Sequence, residues 1–215
     1  MILYGSSLSP FVRKVLAFAG EKGIELDLQR TGNAPGQQSE EFLAASPFRK
    51  MPALRDGDFT LADSSAIVHY LEAKFPEPEL IPSEPEALGK TIWFEEFADT
   101  IMGACCAKMF YNRIVLPRFM GRPGDENVAI AAERDELPPV LDYLEKVAPA
   151  DSGYLVGDRL TLADIAVATM FANFKHLGVR IDAGRHPRTD AYVSRVLARP
   201  SFAQWIEKER AMLAA

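Results

Sequence analysis

Residues 1–28, MILYGSSLSPFVRKVLAFAGEKGIELDL, decide how this chain folds. Ile2, Leu3 and Tyr4 form a short run of large apolar side chains that reads as a strand. Ser9 then offers a helix N-cap, and Pro10 suits the first helical position, where its missing N–H is not needed. Val12, Val15, Leu16 and Ala19 share one face of that helix, and Gly23 can close it just past its end. Beyond it, Ile24, Leu26 and Leu28 alternate with Glu25 and Asp27, the period of a strand with one buried face. Strand, helix and strand in this order predict a βαβ unit with parallel strands.

Working outward, residues 39–45 (SEEFLAA) read as a short helix with an acidic first turn, ended by Pro47. Residues 53–55 and 59–62 flank Asp56-Gly57, a dipeptide that favours a tight type I′ hairpin turn. Residues 65–75 (SAIVHYLEAKF) place Ile67, Tyr70, Leu71 and Lys74 at helical spacing. Residues 1–76 therefore read β-α-β-α-β-β-α. Prolines at 76, 78, 82 and 85 mark residues 77–86 as an extended linker. From there to residue 215 strand alternation stops, and helices are expected over about 86–111, 126–147, 161–175, 187–197 and 201–212. The fold class is α/β followed by all-α. Residues 162–174 are almost all apolar or small, so that helix should be buried on every side. It opens with Thr161 and Asp164 in capping-box spacing.

The composition sets limits on function. The chain has 215 residues, 48% hydrophobic and 25% charged, as expected of a soluble globular protein. At this length it should bury roughly 70% of the surface its unfolded form exposes. Twenty-four Lys and Arg against 30 Asp and Glu leave a net charge of −6, with no basic run, which argues against nucleic-acid binding. No apolar stretch approaches a membrane span, and apolar patterning begins at Ile2, so a cytoplasmic protein with no membrane partner is expected. Cys105 and Cys106 are adjacent, and no cysteine or histidine spacing suggests a metal site. His69, His176 and His186 read as structural or surface groups.

Three local features carry chemistry. Ser9 stands at the mouth of a helix, where free N–H groups and the positive dipole end favour an anion; the same residue is equally a plain N-cap. Pro52, in Lys50-Met51-Pro52, precedes a strand. It either begins an edge strand in trans or carries a cis bond that aims the N–H and C=O of Met51 at an extended peptide-like ligand. Asp63 and Ser64 open the helix after the hairpin, where a carboxylate, a hydroxyl and the helix end can hold an amino-acid head group or simply cap the helix.

Together these stretches resemble the glutathione transferase family. The residues that carry the likeness are Leu3-Tyr4, SPFVRKV at 9–15, Glu41-Phe42-Leu43, SPFRKMPAL at 46–54 and DSSAIVHYL at 63–71, followed in the helical half by YLVGDRLTLADIA at 154–166. The likeness is to serine-type members, of a bacterial-like or tau, theta or zeta-like branch. It implies a thioredoxin-like glutathione-binding domain over 1–76, a linker over 77–86 and an all-helical domain over 87–215 that forms the electrophile site, usually paired as a homodimer. Carried over by residue, Ser9 donates a hydrogen bond to the glutathione sulfur. Lys50 meets the glycine carboxylate, Met51 the cysteinyl backbone with Pro52 as the cis-proline, and Asp63 with Ser64 the γ-glutamyl end.

The implied activity is attack of the glutathione thiolate, with glutathione as co-substrate and no metal, on a small hydrophobic electrophile by conjugation, addition or thiolytic displacement. A serine in place of cysteine predicts poor thiol–disulfide exchange. A non-catalytic glutathione-binding regulatory or interaction module is the alternative, as is a zeta-like glutathione-dependent isomerase, which the Ser6-Ser7 pair echoes although its spacing to Arg13 does not fit. Retention of Ser9, Lys50, Asp63 and Ser64 together favours the transferase. Departures from the family pattern are Arg49 for the usual Gly, Ser46 for the usual Asn, and Gln37 and Gln38 where many relatives are basic. Tyr4 is placed too early in its strand to reach the sulfur. The apolar residues of the 93–111 helix read mainly as core.

Overall fold

The computed structural model describes residues 1–31, 38–150 and 152–214; Gln37 lies outside them. By contacts the chain divides into two units. One comprises Met1–Ile81 and the stretch from Pro200 onward, the other Pro82–Arg199.

The first unit runs β1 (Ile2–Tyr4), α1 (Pro10–Glu21), β2 (Asp27–Gln29), α2 (Glu40–Ala45), β3 (Ala53–Asp56), β4 (Phe59–Ala62) and α3 (Ser64–Lys74). Its sheet has the order β2-β1-β3-β4, with β1 parallel to β2 and the other pairs antiparallel, a thioredoxin-like arrangement. Alternation sorts the two faces of the sheet. Tyr4, Ala53 and Ala62 pack with Phe42 of α2, while Leu3 and Leu54, paired in register, belong to the opposite face. Tyr4 is 2% exposed and meets the Phe42 ring at 6.2 Å, so it is core.

Local chemistry explains the boundaries. Gly23, at φ +68°, follows the end of α1 as its freedom at positive φ allows. Ser46 is extended because Pro47 follows it, and α2 stops at Ala45. The hairpin differs from expectation: Asp56 pairs with Phe59, so the turn residues are Gly57 and Asp58. Only Gly57 has positive φ, at +62°, which is the type II′ pattern rather than I′.

By contacts the C-terminal helix α10 (Pro200–Ala214) groups with the first unit, whereas the sequence division places residues 200–215 in the helical half. It packs on α1 instead. Arg13 Nε and Nη2 donate to Glu209 Oε1 and Oε2 at 3.0 and 2.8 Å, and both side chains are fully buried. The start of the expected linker is likewise tied down. The buried Lys22 ammonium donates to the carbonyls of Phe75 (2.8 Å) and Pro78 (2.6 Å) and pairs with Glu72, whose Oε1 accepts from the N–H of Leu80 and Ile81.

The second unit contains α4 (Pro85–Glu96), α5 (Gly103–Phe110), α6 (Glu126–Ala131), α7 (Leu137–Val147), α8 (Leu162–His176) and α9 (Pro187–Leu197). Wider π-helical turns over Phe97–Met102, Tyr111–Phe119 and Ala132–Glu136 interrupt the helices expected at 86–111 and 126–147. The second carries the chain past Pro117, which has no N–H to give an ordinary helix, and ends with Met120 N–H donating to Val115 O, five residues back. Every residue from Leu162 to Phe174 is buried, as its composition requires. Asp164 anchors the start of α8 by accepting from Thr161 N, Thr161 Oγ1, Leu155 N and the Tyr192 hydroxyl. Among the described residues no helix is long and apolar enough to cross a membrane, and no group of three or more His, Cys, Asp or Glu is placed to hold a metal ion.

Candidate active site

Sheet register brings the three sequence features to one end of the first unit. Tyr4 of β1 pairs with Ala53 of β3, and Ala53 with Ala62 of β4. The loop leaving Tyr4 leads to Ser9, Pro52 immediately precedes Ala53, and Asp63 immediately follows Ala62. Adjacent strands lie about 4.8 Å apart, so the three strand ends fall within about 10 Å. Gly5 makes the first of these loops possible. At φ +155°, a Cβ there would sit 2.5 Å from Val12 Cγ2 and 3.4 Å from Met51 Cβ, so the loop runs directly against Met51.

Ser9 is half-buried and extended, at φ −72°, ψ 124°. Its N–H donates to Ser6 O and its own carbonyl accepts from Arg13 N–H, so its backbone starts α1. Its hydroxyl makes no capping bond. No acidic residue lies in the first turn of α1 to offset the positive end of the helix dipole. Tyr4, by contrast, is removed into the core.

The Met51–Pro52 bond is cis, the less common of the two forms open from sequence. The loop before it is held by Ser46. This buried hydroxyl donates to Lys50 O at 2.7 Å and accepts from Lys50 N at 3.0 Å, while Arg49 N–H donates to Ser46 O. Arg49 itself sits at φ +57°, a conformation that glycine adopts freely and other residues seldom do. Lys50 is exposed.

Asp63 also has positive φ, at +80°. Its Oδ1 accepts from Ser65 N (2.9 Å) and Ala66 N (3.3 Å), so the carboxylate caps α3, and Oδ2 has no partner among the described residues. Ser64, the first residue of α3, is buried. Lys14 of α1, buried, donates to Ser65 Oγ at 3.2 Å and ties α1 to the start of α3. Sequence reasoning missed this contact and the two hydrogen bonds of the Ser46 hydroxyl; nothing in the spacing of Lys14 and Ser65, 51 residues apart, signals the first.

The remaining candidates fall into structural roles. Phe94, Phe97, Met102, Met109 and Phe110 are buried, whereas Trp93 and Tyr111 are about half exposed. Both cysteines are buried. Burial, reinforced by the nearby Glu136 carboxylate, pushes the Cys105 thiol up to about 11, which makes it unreactive at neutral pH. His186 Nε2 lies 2.8 Å from Asp142, and His69 is exposed.

The family model for the glutathione S-transferase N-terminal domain matches residues 3–79, and that for the C-terminal domain matches residues 122–209. Mouse glutathione S-transferase theta-3 is 30% identical over 198 residues, covering 91% of this chain and 81% of its own length. The crystal structure of glutathione transferase F7 from Populus trichocarpa superposes with a TM-score of 0.83 at 26% identity, covering 96% of this chain and 97% of its own. A glutathione S-transferase from Methylobacterium radiotolerans, in complex with glutathione sulfonate, gives 0.76 at 26% identity, covering 95% and 93%. The chain belongs to the glutathione S-transferase family.

Proposed function

We propose that this glutathione transferase activates glutathione through Ser9. The hydroxyl donates to the glutathione sulfur and stabilises it as a thiolate for attack on a small hydrophobic electrophile. The observation that carries this reading is that Ser9 starts α1 with its backbone alone, leaving its side chain uncommitted to the cap.

The size of the effect follows from ordinary magnitudes. A free thiol has a pKa near about 8.5, so only a few per cent is ionised at neutral pH. A hydrogen bond to a charged acceptor contributes about 1.5 to 3 kcal/mol and a helix end about 0.3 to 1. At roughly 1.4 kcal/mol per pH unit their sum lowers the thiol pKa by about 1.3 to 3 units, which leaves bound glutathione largely thiolate near neutrality. Ser9 forms no covalent bond in this scheme. The thiolate attacks the electrophile, and the hydroxyl keeps its own proton.

The other residues bind the peptide. Met51 presents backbone groups to the cysteinyl portion beside Pro52, Asp63 takes the γ-glutamyl ammonium on its free Oδ2, Ser64 and the start of α3 take the adjacent carboxylate, and Lys50 takes the glycine carboxylate. The 1–76 segment is the glutathione-binding domain, and the helical half supplies the electrophile site. We take the protein to be a cytoplasmic homodimer. Phe48, 86% exposed beside the glutathione loop, supports an apolar contact with a second copy.

The test is Ser9→Ala. Turnover of a generic aryl halide should fall about tenfold or more while glutathione affinity changes little, because a hydrogen bond to the thiolate serves the reacting form. A thiolate absorbance titration near about 240 nm should show the bound thiol pKa rising in the variant. Retention on a glutathione column with no shift of that titration in the parent protein would instead identify a binding module.

A further inference from the structure

Arg49 and Lys50 are the only cations between Ser39 and Leu54, and they stand side by side directly before Met51 and the cis Pro52. Both are exposed. The backbone that carries them is fixed: Ser46 O accepts from the Arg49 N–H, and the Ser46 hydroxyl bonds the N–H and the carbonyl of Lys50. Neither charged head has a hydrogen-bond or ion-pair partner among the described residues.

Glycine would take the Arg49 backbone conformation, φ +57°, without strain, whereas any residue with a Cβ meets a steric cost there. Ser46 holds the Arg49 backbone and leaves its side chain alone. What the arginine brings to this position is its guanidinium, and strained residues of this kind gather at ligand clamps.

The direction of the bound peptide sets what the guanidinium meets. With the cysteinyl portion beside Met51 and the C-terminal carboxylate at Lys50, the peptide runs back along the loop, and the next residue in that direction is Arg49. Glutathione ends in glycine, which has one carboxylate and no side chain, so it engages one of the two cations. A third residue with a carboxylate of its own presents two anionic groups to two adjacent cations, and the planar guanidinium can donate two parallel hydrogen bonds to the second of them.

We propose that Arg49 is a specificity-determining residue that extends the thiol substrates of this enzyme to γ-glutamyl-cysteinyl peptides with an acidic third residue. Lys50 takes the α-carboxylate and Arg49 the side-chain carboxylate. This inference rests on the glutathione placement proposed above, and the chemistry at the sulfur is unchanged.

γ-Glutamyl-cysteinyl-glutamate and γ-glutamyl-cysteinyl-glutamine are suitable probes, because they match in size and differ by one charge. With the aryl halide saturating and each thiol varied, the parent should use the glutamate peptide with kcat/KM about threefold above that of the glutamine peptide, the scale of one exposed charge contact. The difference should lie in KM rather than kcat. Arg49→Gly and Arg49→Asn should both bring the ratio to about one, and Arg49→Lys should keep most of the preference. Glycine and asparagine accept positive φ, so thermal melts of those two variants should match or exceed the parent's. The proposal is overturned if the ratio survives in both neutral variants. Glutathione, run alongside, separates this outcome from the Ser9 reading: Ser9→Ala should lower kcat for all three thiols and leave the ratio of the two peptides where it is. A parent that conjugates glutathione but uses the two peptides equally overturns the role of Arg49 alone, whereas a parent that conjugates none of the three overturns both readings.

Discussion

Ser46 and Arg49 act as a pair. Arg49 occupies a left-handed backbone conformation that costs an ordinary residue about 1 to 2 kcal/mol. That conformation persists because Ser46, one turn earlier, closes the loop with a hydroxyl that both donates to and accepts from Lys50. In this chain a serine thus bridges the loop. Ser46→Ala should remove both bonds at a buried site, loosening the segment that presents Lys50 and Met51. We expect the KM for glutathione to rise by about tenfold, with a smaller change in kcat, measured by steady-state kinetics with glutathione varied. The sequence flagged both positions as departures from the family pattern. It did not show that one compensates the other, because a hydroxyl's partners depend on where the loop turns.

At the scale of elements, α10 belongs with α1. A buried bidentate ion pair is costly to assemble, and removing one partner leaves an uncompensated charge in the interior. Glu209→Ala should therefore destabilise by about 3 to 5 kcal/mol. Calorimetry should show the Tm falling by roughly 10 °C for a chain of this size. Changing Arg13→Met with Glu209→Leu should recover part of the loss, since neither charge is then left in the interior without the other. Between α7 and the start of α9, the hydrogen bond from His186, followed by the Arg185 guanidinium, holds the Asp142 carboxyl below its ordinary value. The folded state therefore takes up this proton less readily than the unfolded chain. Its stabilisation is present above the ordinary carboxylate pKa near about 3.9 and is lost as pH falls through the lower folded value. Thermal melts of Asp142→Asn should lie below the parent at neutral pH, and the gap should narrow below about pH 4.

For the molecule as a whole, Phe48 stands out as the most exposed large apolar side chain among the described residues. An aromatic side chain 86% exposed in a loop forgoes the free energy of burial in the monomer, so it offers a ready anchor for association. Sedimentation at micromolar concentration should give a dimer for the parent and a shift toward monomer for Phe48→Glu. The proposed glutathione site, built on strand ends within one unit, should still bind glutathione in that variant. A Phe48→Glu protein that remains dimeric would place the interface elsewhere.

The alternation of Ile24, Leu26 and Leu28, the caps at Ser9 and Asp63, and the apolar run at 162–174 are local patterns, and local physics was enough to determine the element order and the helical character of the second half. That the three candidate features gather at one end of the sheet was legible for the same reason. Pro52 and Asp63 adjoin strand ends and Ser9 follows the loop leaving β1, and the order β2-β1-β3-β4 brings those three ends side by side. Register and long-range packing decided the rest: which two residues form the hairpin turn, that Ser46 reaches Lys50, that Lys14 reaches Ser65, and that the last helix returns to pair Glu209 with Arg13 across 196 residues. Periodicity reports which face of an element is apolar. It carries no information about which other face will cover it, because apolar attraction is not directional and the choice of partner is settled only when the whole chain is packed.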